Sequence, residues 1–164
     1  MIRCLIMDVD GTLTDGKIYM GASGEVMKAF SIKDGYAIAH LPKNGIEPVI
    51  LTGRNSKIVA NRAEELGIKR VYQGISDKER FLRELIKESS MDAEQIAYIG
   101  DDDNDLACMK LCGCIGCPAD ASQNVKRVAH FVSDYAGGSG AVRQFIDWIV
   151  DQEKQKDEEC TDNL

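Results

Sequence analysis

Apolar residues come along this chain in short runs, each cut off by polar or glycine-bearing residues. The first is Arg3-Cys4-Leu5-Ile6-Met7, which leads straight into Asp8-Val9-Asp10-Gly11-Thr12. An apolar run this short, ended by turn residues, predicts a buried strand. Similar runs at residues 48–51, 70–72, 95–99, 112–117 and 130–133 predict five more.

Between these runs the period changes to that of a helix. Asp34-Gly35 opens a helix through Tyr36, Ile38, Ala39 and Leu41, stopped at Asn44-Gly45. Ser56 is placed to cap a helix carrying Ile58, Val59, Ala63 and Leu66, stopped by Gly67, and Asp77 one carrying Phe81, Leu82, Leu85 and Ile86. Residues 106–111 and 122–129 read as short helices. A last amphipathic helix carries Val142, Phe145, Ile146, Ile149 and Val150, after a flexible connection at Gly137-Gly138-Ser139-Gly140. From Asp151 no apolar period remains, so residues 151–164 read as a fraying helix end and a disordered tail.

Strands alternating with helices predict an α/β fold: a parallel, Rossmann-like sheet covered on both faces, forming one domain over residues 1–150. One stretch, residues 15–30, breaks the alternation. Lys17-Ile18-Tyr19-Met20 and Glu25-Val26-Met27-Lys28 flank Gly21-Ala22-Ser23-Gly24, the pattern of a β-hairpin. A lone hairpin is marginal, so it must pack on the body or on another subunit.

Composition narrows the function. A net charge of −7 argues against a duplex-binding or membrane-surface protein, which needs a basic face. No leader is evident at the N-terminus, and no apolar run approaches the roughly 18 residues of a membrane span. A cytoplasmic protein without nucleic-acid or membrane partners is expected. Four of the six cysteines, Cys108, Cys112, Cys114 and Cys117, lie close together, and the last two form C-x2-C. Alternation along a strand at 112–117 would put Cys112 and Cys114 on one face and Cys117 on the other, which fits core thiols better than a zinc site.

Candidate chemistry sits where the predicted strands end, the side on which open α/β sheets bind ligands. Asp8 and Asp10 end the first strand, Thr52-Gly53-Arg54 the second, and Gly100-Asp101-Asp102-Asp103-Asn104-Asp105 the fourth; Lys78 opens the helix after the third. Carboxylates buried at a strand end need a cation or a chemical task. Oxygen-only ligands suit magnesium, and a lysine and a threonine hydroxyl suit phosphate oxygens. One carboxylate can attack phosphorus while a second moves protons, so the set fits phosphoryl transfer. A calcium loop starting at Asp8 is disfavoured, because its sixth position would need glycine and holds Leu13. Asp102 and Asp103 read as capping and solvated residues, His40 and His130 as structural.

These ordered motifs resemble those of the haloacid dehalogenase superfamily of phosphatases. The resemblance implies Asp8 as nucleophile and Asp10 as acid/base and metal ligand through its carbonyl. It implies Asp8, Asp10 and Asp101 around Mg2+, Thr52, Gly53, Lys78 and Asn104 at the phosphoryl group, and Asp105 in support. The stretches from Asp10 to Thr52 and from Thr52 to Lys78 are too short for a separate cap domain.

Finer features resemble the family of 3-deoxy-D-manno-octulosonate 8-phosphate (KDO 8-phosphate) phosphatases, which supply a lipopolysaccharide precursor. They are the hairpin entry Asp15 to Tyr19, Phe30-Ser31-Ile32-Lys33-Asp34-Gly35, Thr52-Gly53-Arg54-Asn55-Ser56, and Gly137 to Arg143. That resemblance implies a phosphorylated sugar-acid substrate and a homotetramer whose neighbouring subunits complete each site. Ser31, Ile32, Lys33, Asp34, Gly35 and Ala39 would line the sugar-acid pocket, and Arg54 and Arg62 would meet substrate. Lys33 stands where that family more often carries arginine. The arginine after Thr-Gly favours this substrate over the alternative, 2-keto-3-deoxynononate 9-phosphate. A non-catalytic oligomerisation module is the remaining reading.

Overall fold

The computed structural model of the chain describes the backbone of residues 1–161 and the side chains of residues 1–155. Six parallel strands form the sheet: β1 (Cys4–Met7), β4 (Glu47–Leu51), β5 (Arg70–Tyr72), β6 (Ile96–Ile99), β7 (Cys114–Cys117) and β8 (Phe131–Val132), in spatial order β5-β4-β1-β6-β7-β8. A separate antiparallel pair, β2 (Tyr19–Gly21) and β3 (Gly24–Met27), is the expected hairpin. The chain steps outward from β1 to β4 and β5, then returns to the other side of β1 for β6. That reversal puts the topological switch point beside β1, where α/β sheets open a crevice.

Alternation along β1 shows why the sheet is covered on both faces. Leu5 and Met7 pack with Ile38 of α1 (Ile32–His40), Val59 and Ala63 of α2 (Lys57–Glu65), and Val142 and Phe145 of α6 (Ala141–Thr161). Cys4 and Ile6 face the opposite way, toward Leu82 of α3 (Lys78–Ser89), Cys108 and Met109 of α4 (Leu106–Met109), and Val125 of α5 (Gln123–Val128). All four residues of β1 are at most 1 % exposed. Each such aliphatic side chain contributes about 1.5–3 kcal/mol by leaving water.

Several expectations are corrected. Helix α1 starts before Asp34: the Ser31 hydroxyl caps it, accepting from the Asp34 amide at 3.3 Å. Ser56 holds the N-cap position of α2, but its hydroxyl donates to Glu25 on the hairpin at 2.5 Å rather than capping. Cys112 lies before β7 and packs with Cys117, while Cys114 faces the α6 side; the five cysteines up to Cys117 are all buried. The last helix does not end near Val150 but runs to Thr161, and the Glu153 carboxylate accepts from the Ile2 amide at 3.0 Å. The end of the expected tail, residues 162–164, lies outside the described residues.

The glycine run before α6 is not a loose connection. Gly137 is buried against the loop after β1, and the Gly138 amide donates to the Thr12 carbonyl at 3.1 Å. Side chains would not fit at Gly137 and Gly138, so these two glycines permit close backbone packing rather than flexibility.

Candidate active site

Asp8 immediately follows β1, Thr52 follows β4, and Gly100-Asp101 follow β6, so parallel pairing delivers all three to one edge of the sheet. The Asp8 amide continues the ladder, donating to Ile99 at 3.0 Å, and the Thr52 amide donates to Tyr72 at 2.9 Å. Beyond Asp8 the chain turns sharply. The amides of Thr12, Leu13 and Thr14 converge on the Val9 carbonyl at 2.9–3.1 Å, with Gly11 at φ +89°. A β-carbon on Gly11 would stand 2.0 Å from Asp101 Oδ2. Glycine is therefore required both for the turn and for the approach of Asp101. The Thr12 hydroxyl donates to Asp101 Oδ1 at 3.1 Å.

Lys78 is the first residue of α3, behind the cap residue Asp77, whose carboxylate accepts from the Arg80 amide at 2.9 Å. Helix side chains lean toward the N-terminus, so Lys78 reaches back to the strand ends. Its ammonium donates to Asp8 Oδ1 at 2.8 Å and to Asp105 Oδ1 at 2.9 Å, and all three residues are at most 5 % exposed. Asp105 is further held by the Tyr98 hydroxyl at 2.7 Å and the Asp101 amide at 3.2 Å. Both its oxygens are engaged, the geometry of a supporting residue.

Asp8, Asp101 and Asp105 each bring a carboxylate oxygen within 4.8 Å of the other two. Burial, then the Asp105 charge, raise the Asp8 carboxyl to about 6 against the pull of Lys78. Burial and the charges of Asp8 and Asp105 raise Asp101 to about 8. With all three carboxylates ionised, one ammonium would leave an excess of two negative charges. A hard divalent cation on the oxygens of Asp8 and Asp101 would neutralise that excess, so the donor set fits magnesium.

Asp10 points elsewhere. Its carboxylate pairs with the ammonium of Lys28, just past β3, and Lys28 also pairs with Glu25 at 2.8 Å. Of the expected phosphate ligands, Thr52 is buried at the end of β4, Gly53 is exposed beside it, and Asn104 is exposed in the turn Asp103–Asp105. Asp102 and Asp103 take local roles, accepting from the Asp103 amide and from Ser122 and Asn124 respectively. His40 bonds the Tyr36 carbonyl and stacks on its ring, and His130 accepts from the Ile115 amide; both are structural.

The expected sugar-acid residues have uses within the chain. Asp34 is 2 % exposed, and its Oδ1 accepts from the Arg143 amide at 2.8 Å, capping α6. Gly35 is buried under Arg62, whose guanidinium lies over the Phe30 ring and donates to Glu65 and to the Ser31 carbonyl. Ser31 is half-buried at the start of α1, while Ile32, Lys33, Ala39 and Arg54 are exposed.

Lys28, Thr12 and Tyr98 are site residues that the sequence reading does not find. Lys28 lies at the end of an unremarkable hairpin strand, and only the fold of the hairpin brings it to Asp10. For Tyr98 a signal existed: alternation along β6 puts it on the α3 face, where a buried phenol needs an acceptor.

Known proteins match this chain in both sequence and fold. The family model for haloacid dehalogenase-like hydrolases matches residues 70–146. The 3-deoxy-D-manno-octulosonate 8-phosphate phosphatase of Yersinia pestis is 46% identical over 149 residues, covering 91% of this chain and 80% of the relative. The solved structure of a cobalt-bound deoxy-D-mannose-octulosonate 8-phosphate phosphatase from Haemophilus influenzae matches with TM-score 0.87 and 41% identity, covering 92% of this chain and 88% of that one. The Moraxella catarrhalis enzyme, solved in complex with magnesium ion, phosphate ion and KDO, matches with TM-score 0.89 and 34% identity over 99% of this chain and 94% of its own.

Proposed function

The chain belongs to the haloacid dehalogenase-like hydrolases, in the family of the 3-deoxy-D-manno-octulosonate 8-phosphate phosphatases, and from that membership we propose that it hydrolyses the phosphomonoester of KDO 8-phosphate with Mg2+. The observation that carries the reading is the buried Asp8–Lys78–Asp105 array beside Asp101, at the switch point of the sheet.

The residues divide the work. Asp8 attacks phosphorus, forming an O–P bond while the bond to the sugar oxygen breaks. That oxygen takes its electron pair and a proton from Asp10. Water then attacks the aspartyl-phosphate, Asp10 takes back a proton, and Asp8 is released as carboxylate with phosphate as product. Lys78 and the Thr52 hydroxyl hold phosphoryl oxygens, with Gly53 and Asn104 at the rim. Asp8, Asp101 and the Asp10 carbonyl would hold magnesium, which would supply charge neutralisation. Arg54 offers a fork for the sugar-acid carboxylate.

A tetramer would complete the site. The hairpin exposes Ile18, Met20, Val26 and Met27, and α1 exposes Ile32 and Tyr36, apolar side chains that subunit contacts would cover. In that assembly the neighbours of each site would supply the lid over Ser31, Lys33 and Ala39. A solution mass of one chain at assay concentration would defeat this. The buried thiols fit a reducing compartment, and we assign the protein to the cytoplasm.

The test is phosphate release, compared between KDO 8-phosphate and 2-keto-3-deoxynononate 9-phosphate. Higher kcat/KM on the eight-carbon ester is expected, and the reverse would overturn the substrate assignment. Asp8→Asn should abolish turnover with the fold intact. Retained turnover would remove Asp8 as nucleophile, and a wild-type chain without activity would favour a non-catalytic module.

A further inference from the structure

The Lys28 side chain is 1 % exposed, although it sits at the end of a two-stranded hairpin. Lysine stems tolerate such cover only when the ammonium has partners. Here it has two, Asp10 Oδ1 and Glu25 Oε1. Glu25 in turn accepts from the Ser56 hydroxyl at 2.5 Å, and the Ser56 amide donates to the Gln73 side chain at 2.8 Å. A polar chain thus runs from Asp10 through the hairpin to the start of α2 and the loop after β5. Its members come from the turn after β1, the hairpin, the start of α2 and the loop after β5.

We propose that Lys28 is a positioning residue for proton transfer by Asp10. It holds Oδ1, fixes the carboxylate plane, and leaves Oδ2 to carry the proton to the departing sugar oxygen. The hairpin is then more than an assembly surface, because its inner lysine sets the aim of the acid/base. This rests on the phosphatase reading of the site and extends it to a residue outside its motifs.

General acid help matters most when the leaving group is a poor one. An alkyl ester such as KDO 8-phosphate expels an alkoxide that needs a proton, whereas p-nitrophenyl phosphate expels a stable phenolate that does not. The measured quantity is kcat/KM, which covers the steps up to loss of the leaving group. For Lys28→Met, a loss of about 100-fold on the alkyl ester and less than about 10-fold on the aryl ester is expected, the range of a misplaced general acid. Lys28→Arg should recover most of the alkyl activity, and Glu25→Gln, which frees the far anchor, should show a smaller loss with the same preference. Equal losses on both esters, or none, would overturn the proposal. If Lys28→Met does not fold, the Lys28→Arg and Glu25→Gln ratios decide alone. A wild-type chain that releases phosphate from neither ester would overturn the phosphatase reading itself, and this proposal with it.

Discussion

A β-carbon on Gly137 would stand 1.9 Å from the carbonyl oxygen of Gly11. The segment before the last helix therefore presses directly on the turn that carries Asp8 and Asp10. Gly137→Ala cannot be absorbed by moving a flexible side chain, since the obstacle is backbone. We expect a loss of about 1–3 kcal/mol in urea unfolding, the cost of overpacking, and a drop in kcat as the turn shifts. Gly53→Ala is the contrast: its β-carbon would meet only the Ile75 carbonyl, at 3.6 Å. Its stability should be nearly unchanged, so any lost activity reports on the phosphate site.

Lys78 is the cation on which two buried carboxylates depend, Asp8 at 2.8 Å and Asp105 at 2.9 Å. Removing one partner of a buried pair leaves an uncompensated charge, which costs about 3–5 kcal/mol. Lys78→Met should lose about that much stability at neutral pH, measured by denaturant unfolding. It should also lose phosphatase activity by at least about 100-fold, because the phosphoryl anchor goes with the ion pair.

How much of this was written in the chain depends on the range of the signal. The strand ends at Asp8, Thr52 and Asp101 are legible because apolar runs and turn residues are local, and the sheet only has to bring like ends together. Lys78 is legible because a cap and a helix start fix its direction. Lys28 is not, since its contact with Asp10 depends on how a hairpin folds back over the first turn. The glycines at 137–140 misled for a related reason: sequence shows that glycine is there, but not whether it serves freedom or close contact. Asp34 reads as a helix opener, yet its partner is the Arg143 amide in a distant segment.

The thiols give a prediction that is independent of catalysis. Burial pushes Cys4 and Cys108 up to about 12 and Cys117 up to about 11, and raises Cys112 still further. The thiolate is the reactive form, and at pH 8 it would be only about one part in a thousand or less of each of these groups. Iodoacetamide on the folded protein, followed by peptide mass spectrometry, should leave all four unlabelled, and labelling should appear only in denaturant. Rapid native labelling of Cys112 or Cys117 would contradict the packing of α4 and α5 on the sheet.

The two raised carboxyls link magnesium to pH. Without metal, Asp8 and Asp101 titrate at about 6 and about 8, above their ordinary value of 3.8. An acid whose folded pKa is raised holds its proton longer in the folded chain than in the unfolded one. The folded state then binds more protons between about pH 4 and 8, and stability falls as pH rises through that window. Magnesium acts in the opposite sense, because it binds the ionised carboxylates and competes with those protons. Melting temperatures should therefore be measured in chelator and in excess magnesium, at pH 6 and pH 8. In chelator the Tm should be lower at pH 8 than at pH 6, and the gain from magnesium should be larger at pH 8. Asp101→Asn should shrink both differences, since it removes the group with the larger shift along with one ligand. An equal magnesium gain at the two pH values in the wild-type chain would mean that the ion does not bind on Asp8 and Asp101.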